Sequence, residues 1–272
     1  MVILLIGYPF IYNGVASELF DMSIVYINNN HTEIESGSGV EMQTDTVFRN
    51  PEVLFMGAKQ SPALEFSIEF VCEKPMDVYK YHEIKDWLFG GLQFKPLQIC
   101  IDNFKTFYFN CKLKADKDYV YGDGYRGFNC TAICDAPWAW EFPTHKKYQL
   151  TESSTNTIRI YNISADKEDI KPIVKFTLAP NEYNFSITNT SYNNLLFKFS
   201  NLSYEESITI DNKTGNITSS TGLRRLGKLT KGTNSGFLKL KKGMNTLVCE
   251  GKVSKLEIIY QNAIRLGGGF YG

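Results

Sequence analysis

Apolar and polar residues alternate along much of the first half of the chain. In Leu64–Cys72, Phe107–Leu113 and Phe128–Cys134, every second residue is apolar. This period of two is typical of a strand that buries one face and exposes the other. Four of the six cysteines fall on these apolar faces: Cys72, Cys111, Cys130 and Cys134. We expect them to pack there as small hydrophobic side chains.

Turn residues separate the strands, and one segment between them has a different period. Asp102-Asn103 predicts a hairpin before Phe107–Leu113, and Gly122–Gly124 predicts another before Phe128–Cys134. Residues 76–89 (MDVYKYHEIKDWLF) instead place apolar side chains at helical spacing. Proline precedes this segment and two glycines follow it, as expected at the ends of a helix. We therefore predict one α-helix over residues 76–89.

Between Asn28 and Pro62 the alternation is lost. We predict a long loop there, and long loops in compact domains commonly contact a partner. Near its end four apolar residues follow one another: Val53, Leu54, Phe55 and Met56. They form either a core strand or a strand at an interface, and we take them as candidate interface residues.

The second half of the chain predicts a β-sandwich. A boundary falls after Trp138–Pro143, where a polar, Ser/Thr-rich stretch over residues 144–156 begins. Short strands then recur with Gly, Asn and Asp between them, as in sandwich domains. The predicted strands are Ile158–Tyr161, Ile173–Leu178, Tyr183–Ile187, Leu195–Phe199, Ser207–Asp211, Gly236–Leu240, Asn245–Cys249 and Lys255–Tyr260. We therefore predict two domains, residues 1–143 and 144–272.

Composition excludes several classes of protein. Lys and Arg total 29 and Asp and Glu total 29 among 272 residues, so the chain lacks the positive excess of a specific nucleic-acid-binding protein. With 43% hydrophobic residues it is not a disordered chain, and no apolar run approaches the roughly 20 residues that membrane insertion requires. Met1–Ile6 lacks the basic start of a signal peptide, so we expect reduced cysteines. The eight Asn-x-Ser/Thr sequons are interpreted as chance.

Motif-like segments give no catalytic, cofactor-binding or metal-binding residues. His82-Glu83 lacks the second histidine of the His-Glu-x-x-His zinc motif. Gly122–Gly127 matches Gly-x-Gly-x-x-Gly, but an alternating strand follows it where a dinucleotide site needs a helix. Cys130 and Cys134 have no second cysteine pair, and Asp211–Gly215 is better explained as a turn than as a calcium loop. We therefore expect no catalytic centre, no cofactor and no metal.

Aromatic residues offer two candidate sugar-binding surfaces, each with a structural alternative. Trp138, Trp140 and Phe142 form either a stacking platform or the packing of a domain junction, and packing is favoured. In the second half, Phe185 and three tyrosines could line a carbohydrate groove or belong to the sandwich core and its rim. The candidate sugar-facing tyrosines are Tyr183, Tyr192 and Tyr204.

With these residues in view, the chain resembles the distal tail proteins of long-tailed bacteriophages over nearly its whole length. In the first half the resemblance rests on the helix ending in Asp86–Gly90, on Lys95-Pro96-Leu97, on the Asp102-Asn103 turn and on Asp135–Trp138. In the second half it rests on Ile208–Asp211 with the turn ending at Gly215, on Lys242–Leu247 and on Gly251. Each motif is loose, and their order and spacing carry the resemblance.

The resemblance implies a mainly β fold and a structural role. The fold is an N-terminal β-sandwich or tail-tube-like domain with one α-helix, followed by a C-terminal galectin-like or carbohydrate-module-like β-sandwich. The protein is then a virion component: a homohexameric ring at the tail tip, assembled in the host cytoplasm. Its implied partners are the tail tube protein, the tail-tip hub (tail-associated) protein, the tape-measure protein and a receptor-binding protein.

Two other functions stay open at this stage. The first is a carbohydrate-binding module or adhesin, which the aromatic residues of the second half favour. The second is a hydrolase of cell-wall sugar or peptide, which requires a carboxylate pair or an activated nucleophile that the sequence alone does not place.

Overall fold

The computed structural model describes residues 7–27, 40–46, 53–60, 63–102, 104–120, 124–150, 155–166 and 168–265. For 26–27, 40–46 and 53–60 only the backbone is described. The chain divides into two compact units, Met1–Glu141 with Ile264–Gly272, and Phe142–Ala263. Each unit is built around its own hydrophobic core.

The first unit is a curled antiparallel sheet with one helix. Its elements are β1 (Phe10–Tyr12), β2 (Val15–Ala16), β3 (Met22–Ile27), β4 (Val40–Thr46), β5 (Val53–Gln60), β6 (Glu65–Cys72), α1 (Val78–Phe89), β7 (Lys95–Ile99), β8 (Phe107–Val120), β9 (Arg126–Cys134) and β10 (Ala139–Glu141). The main sheet has the order β2-β1-β7-β8-β9-β6-β3. Tyr8, just before β1, exchanges two backbone hydrogen bonds with Ile24 of β3. The segment that leads into β1 therefore pairs with β3 at the far end of the order, and the sheet curls round on itself.

The alternation seen in the sequence places the core of this unit. All apolar residues of the pattern in β8 and β9 are buried: Phe107, Phe109, Cys111, Leu113, Phe128, Cys130, Ala132 and Cys134. Their polar neighbours point to the outer face. Burying a phenylalanine side chain contributes roughly 1.5–3 kcal/mol, so this set of contacts determines the register of the strands.

The helix begins two residues later than the sequence predicts. Asp77 caps it by accepting a hydrogen bond from the backbone N–H of Lys80 at 2.8 Å, and Pro75 lies outside the helix. The predicted end is confirmed, because the Gly90 N–H still donates to the Asp86 carbonyl oxygen at 2.9 Å. The helix buries Ile84 and Leu88.

The segment over residues 28–62 contains a hairpin of β4 and β5. The loop prediction is wrong over β4, whereas the strand predicted at Val53–Met56 is present as the first half of β5. The two strands pair antiparallel along their whole length, with a register shift between Gln43 and Thr44. A shift of this kind adds a residue to one strand and interrupts the period of two, which explains why the pattern was lost. In the described backbone, β4 and β5 form a two-stranded sheet of their own.

The cysteines are all free, as expected, and five of the six are buried. Burial raises the pKa of the thiols of Cys72, Cys111 and Cys249 to about 12. Cys100 is half-buried. Burial also raises the pKa of the Cys100 thiol, so partial exposure is what selects Cys100 for reaction.

We expect a thiol reagent at mildly alkaline pH to modify one cysteine quickly in the folded protein. Cys100→Ser should abolish that fast phase, whereas unfolding in guanidinium should expose all six thiols. The release of chromophore from Ellman's reagent measures both. Fast reaction of two or more thiols in the folded chain would contradict this prediction.

The second unit is a sandwich of two antiparallel sheets. Its strands are β11 (Thr144–Leu150), β12 (Asn156–Asn162), β13 (Ile173–Leu178), β14 (Phe185–Asn189), β15 (Leu195–Phe199), β16 (Ser207–Asp211), β17 (Asn216–Ser219), β18 (Gly243–Glu250) and β19 (Val253–Tyr260), and β20 (Ala263–Ile264) follows. One sheet has the order β11-β19-β13-β16-β17 and the other β12-β18-β14-β15. Phe176 of the first sheet meets Phe185 of the second, with ring centroids 4.8 Å apart, so the two sheets share one core.

Two parts of the sequence prediction for this unit are wrong. The polar stretch over residues 144–156 contains β11, an edge strand whose exposed lysines conceal its strand character. The predicted strand Gly236–Leu240 makes only an isolated bridge between Leu240 and Ile170.

Buried asparagine side chains, and not a neighbouring strand, hydrogen-bond the backbone of residues 238–240. Asn212 accepts a hydrogen bond from the Leu238 N–H at 2.8 Å, and Asn162 and Asn189 donate to the carbonyl oxygens of Leu240 and Lys239 at 3.0 and 2.9 Å. These three sequon asparagines are buried, in agreement with the interpretation that their sequons are chance.

Candidate functional surfaces

Trp87 anchors α1 to the curled sheet. Its ring stacks on Phe20 at a centroid distance of 4.7 Å and on Phe10 at 5.7 Å. Its indole N–H donates to the carbonyl oxygen of Tyr12 at 3.1 Å. Aromatic contacts of this kind contribute about 0.5–1.5 kcal/mol per pair beyond the burial of their surface. The Trp-Leu-Phe motif of the sequence is therefore an anchoring motif.

A charged cluster links α1 to β8 and β9. Asp118 of β8 accepts hydrogen bonds from the Tyr81 hydroxyl and from Lys85 Nζ, the latter at 2.9 Å. Burial by itself would raise the pKa of Asp118, but these two hydrogen bonds hold it below its ordinary value. The Arg126 guanidinium lies 4.4 Å from the centroid of the Tyr81 ring. The cluster fixes the helix on the sheet and presents no nucleophile.

Exposed apolar side chains lie at both ends of α1. Tyr79 is 86% exposed in the first turn, and Leu92 is 90% exposed in the loop that follows the helix. Phe94, two residues further along, is half-exposed. Single exposed apolar residues are common in soluble proteins, so these are candidates for a contact with another chain and do not identify one.

The candidate interface residues Val53, Leu54, Phe55 and Met56 lie in the first half of β5. Their backbone pairs with β4, with Val53 opposite Thr46 and Phe55 opposite Thr44. Their side chains lie outside the described part of the molecule.

In the second unit, the outer face of the five-stranded sheet forms a groove of about 770 Å³. Its outward-facing side chains include Lys147, Lys175, Thr177, Thr209, Lys255 and Glu257. Glu257 lies centrally, with Oε1 2.9 Å from Nδ1 of His145 and Oε2 3.4 Å from Nζ of Lys175. The hydrogen bond with His145 and the charge of Lys175 lower the pKa of Glu257. No sequence motif identified this groove, because its residues come from four strands that are far apart in the chain.

A buried ion pair supports the loop before β16 in the same unit. Glu206 is 1% exposed, and it accepts hydrogen bonds from Arg225 Nε at 2.7 Å and Nη2 at 2.9 Å. It also accepts from the Ser203 N–H at 2.8 Å and from the Ser219 hydroxyl. Desolvation opposes ionisation, but these partners keep the pKa of Glu206 below its ordinary value. The carboxylate is fully used in structure, so we assign it no catalytic role.

The predicted sugar-facing tyrosines do not lie on one surface. Tyr183 and Tyr204 are both exposed, and their loops adjoin because the Leu202 N–H donates to the Tyr183 carbonyl oxygen. Tyr192 lies beyond the other end of β14 and donates its hydroxyl hydrogen to Asp169 at 2.7 Å. Phe185 is buried in the core and cannot line a groove.

The other candidate platform is largely used in packing. Trp138 is buried, and its ring meets that of Trp140 edge to face at 6.0 Å. The Trp140 indole N–H donates to Asp135 at 3.2 Å, whereas Phe142 is partly exposed. With one tryptophan buried, the three residues do not form an exposed stacking surface.

Two other motif-like segments have the structural roles expected for them, a hairpin and a turn. Strand β9 follows Gly124, so the Gly-x-Gly-x-x-Gly segment does not lead into a helix. The Asp211 carboxylate accepts a hydrogen bond from the Lys213 N–H at 2.8 Å, which makes Asp211–Gly215 a turn. Across the described residues, no group of three His, Cys, Asp or Glu side chains is placed to bind a metal ion. Nor does the described part contain a helix with the length and apolar character needed to cross a bilayer.

Two family models match the chain in succession. One, described as a phage tail protein N-terminal domain, matches residues 6–136, and the other, described as a phage tail C-terminal domain, matches residues 138–260. The chain belongs to this phage tail protein family. It is therefore a structural component of a phage tail.

Among solved structures, this phage tail protein is similar to the crystal structure of the Dit protein of phage SPP1. That structure is described as a paradigm of the hub adsorption apparatus in phages that infect Gram-positive bacteria. The match covers 94% of this chain and 99% of the SPP1 chain, with a TM-score of 0.63 and 10% sequence identity. A search of curated protein sequences gives no match. The mainly β, distal-tail-protein fold expected from the sequence is confirmed.

Proposed function

We propose that six copies of this phage tail protein form a closed ring at the tail tip. The ring joins the last ring of tail tube protein to the tail-tip hub protein, and the tape-measure protein ends at it. The Phe142–Ala263 unit faces outward and supports a receptor-binding protein. The ring assembles in the host cytoplasm and becomes part of the virion.

The observation that carries this proposal is the hairpin of β4 and β5. Its strands are seven and eight residues long, and in the described backbone they pair only with each other. An isolated two-stranded hairpin is marginally stable in water, and its outer edges offer unpaired backbone groups. Pairing with the hairpins of neighbouring copies around a ring satisfies both edges.

In such a ring, the candidate interface residues would contact a neighbouring subunit. A cyclic ring joins two different surfaces of each copy, so one subunit presents its hairpin and the next receives it. Val53, Leu54, Phe55 and Met56 lie on the hairpin, and Leu92 and Phe94 lie in the exposed loop after α1. We place all six residues at subunit contacts.

Ala58→Pro tests the hairpin directly. Ala58 lies opposite Met42, and proline removes a backbone N–H and crowds the neighbouring strand. The wild-type chain should give a native mass six times its 31.0 kDa, alone or with the tube and hub proteins, whereas Ala58→Pro should give monomers.

The melting of both units should be unchanged in Ala58→Pro, and Ala58→Ser should assemble like the wild type. Hexamers of Ala58→Pro in equal yield would contradict the role of the hairpin. Monomers of the wild type, with and without its neighbours, would contradict the ring itself.

A second candidate function is carbohydrate binding as a host-surface adhesin. It is favoured by the exposed rings of Tyr183 and Tyr204 on adjoining loops, because sugar rings stack on exposed aromatic faces. A glycan array with the full chain tests it: saturable binding that is lost in a Tyr183→Ala/Tyr204→Ala double variant supports it. Binding that is unchanged in that variant contradicts it.

A further inference from the structure

We propose that the outer groove of the five-stranded sheet binds an anionic, hydroxyl-rich polymer of the polyol-phosphate class. The groove is the surface of Phe142–Ala263 defined above by Lys147, Lys175, Thr177, Thr209, Lys255 and Glu257. Its volume of about 770 Å³ lies within the roughly 300–1,000 Å³ of small-ligand sites.

The charge of the lining favours an anion. Three lysine ammonium groups face a single carboxylate, that of Glu257. Glu257 is already engaged by His145 and Lys175, and Lys147 Nζ lies 4.0 Å from its Oε1, so one carboxylate orients these cations without cancelling all of the positive charge. Lys255 is exposed and forms no ion pair within the described residues. It is the cation that is left to meet a ligand.

Hydroxyl groups lie beside the lysines in register. Thr177 is opposite Lys255 on one side and opposite Ser207 on the other, and its Oγ1 is 2.8 Å from Ser207 Oγ. Thr209 lies opposite Lys175 in the next row. A ligand that carries both phosphates and hydroxyl groups therefore finds cations and hydrogen-bonding partners on the same face.

A bulge in β19 lies directly before Lys255, which itself stays in regular register with Thr177 and on the same face as Glu257. The register of β19 shifts against both neighbouring strands at this point. Against β13, Thr177 pairs with Lys255 but Leu178 pairs with Val253. Against β11, Tyr148 pairs with Leu256 but Leu150 pairs with Val253. The extra residue, Ser254, donates its hydroxyl hydrogen to the Thr177 carbonyl oxygen at 3.3 Å. Bulges bend a strand and redirect side chains, and they are common beside functional sites.

The lining also excludes ligands that need apolar anchors. The apolar lining residues Phe176, Ile208 and Leu256 are buried in the core beneath the groove. Tyr148 is partly buried against the same core, so no aromatic face is presented for stacking on a neutral sugar. The groove therefore favours a charged, hydrophilic chain over an apolar peptide.

The inference is independent of ring formation, because all of its residues lie within one unit of one chain. It adds an anionic target to the tail tip component, distinct from the neutral sugars that Tyr183 and Tyr204 would bind. Ligand binding and native mass are measured on the same preparations, so failure of one proposal is distinguishable from failure of the other.

The test is calorimetric titration of the full chain with a short poly(glycerol phosphate). A neutral dextran oligomer and inorganic phosphate serve as comparison ligands. We expect saturable binding of poly(glycerol phosphate) that weakens as salt is raised, with far weaker binding of either comparison ligand. Lys255→Glu should weaken it at least about tenfold, because a charge-assisted contact becomes a repulsive one.

Lys198→Glu is the matched control, since Lys198 lies on the outer face of the other sheet. It makes the same change of charge and should leave the affinity within about twofold. Thermal melting of each variant shows that it is folded. Equal loss of affinity in both variants would show attraction by overall charge alone and overturn the proposal. Absence of saturable binding by the wild type, or unchanged binding by Lys255→Glu, would overturn it as well.

Discussion

Arg225→Met is expected to lower the free energy of unfolding of the Phe142–Ala263 unit by about 3–5 kcal/mol. The substitution leaves the Glu206 carboxylate buried without its two hydrogen bonds from the guanidinium. Removing one partner of a buried pair costs more than the pair contributes, because an uncompensated charge stays in a low-dielectric site. Chemical denaturation followed by far-ultraviolet circular dichroism measures the loss.

The sequence supplies both a control and a reporter for this experiment. Arg224 is exposed, so Arg224→Met should change the stability by less than about 0.5 kcal/mol. The three tryptophans, Trp87, Trp138 and Trp140, all lie in the first unit, so the fluorescence transition should stay where it is. If Arg225→Met lowers the free energy of unfolding of the Phe142–Ala263 unit by less than about 1 kcal/mol, the structural role of the Glu206–Arg225 pair is contradicted.

The same pair predicts how stability depends on pH. The folded-state pKa of Glu206 is lowered, so its contribution is present above the ordinary value of 4.5 and is lost as the pH falls through the folded-state pKa. Wild-type stability should therefore fall below about pH 4.5, and a Glu206→Gln/Arg225→Met double variant should show a smaller fall there. Equal acid sensitivity of the two proteins would contradict this assignment.

Trp87→Ala is expected to destabilise the first unit by about 3–5 kcal/mol. It removes the stacking with Phe20 and Phe10, leaves a cavity beneath α1, and frees the Tyr12 carbonyl oxygen. The unit should unfold at lower denaturant concentration, as seen in the fluorescence of the two remaining tryptophans. The sandwich transition should not move.

Two further variants test whether the loss of stability in Trp87→Ala comes from the packing of the indole ring. Trp87→Phe keeps an aromatic ring but loses the indole N–H, so it should cost less than half as much. Tyr79→Ala lies on the same helix but at an 86% exposed position, and its effect on stability should be within about 0.5 kcal/mol. Destabilisation by Tyr79→Ala as large as that by Trp87→Ala would show that α1 is not held as described.

The fold was predictable where one face of a strand is buried. In β8 and β9 a period of two directly records which side chains meet the core, and the structure buries every residue of that pattern. Strands β13, β15 and β16 have the predicted bounds for the same reason. The end of α1 was predictable from Gly90-Gly91. Its start was predicted from Pro75, but the helix begins after Asp77, whose side chain caps it.

Long-range contacts were not predictable from local pattern. The segment around Leu238 and Leu240 alternates like a strand, but asparagines from distant positions in the chain bind its backbone. The pairing of Glu206 with Arg225 and the convergence of Lys175, Lys255 and Glu257 likewise depend on sheet topology. The candidate tyrosines failed to form one surface because Tyr183 and Tyr192 flank opposite ends of β14.

Imaging of the assembled particle tests the central claim most directly. Electron cryomicroscopy of the tail tip, averaged with and without imposed symmetry, should show six copies of this chain in a closed ring between tube and hub. Their β4 and β5 hairpins should pair from one copy to the next. A tail tip that lacks this chain, or that carries it as separate monomers with unpaired hairpins, would contradict the account.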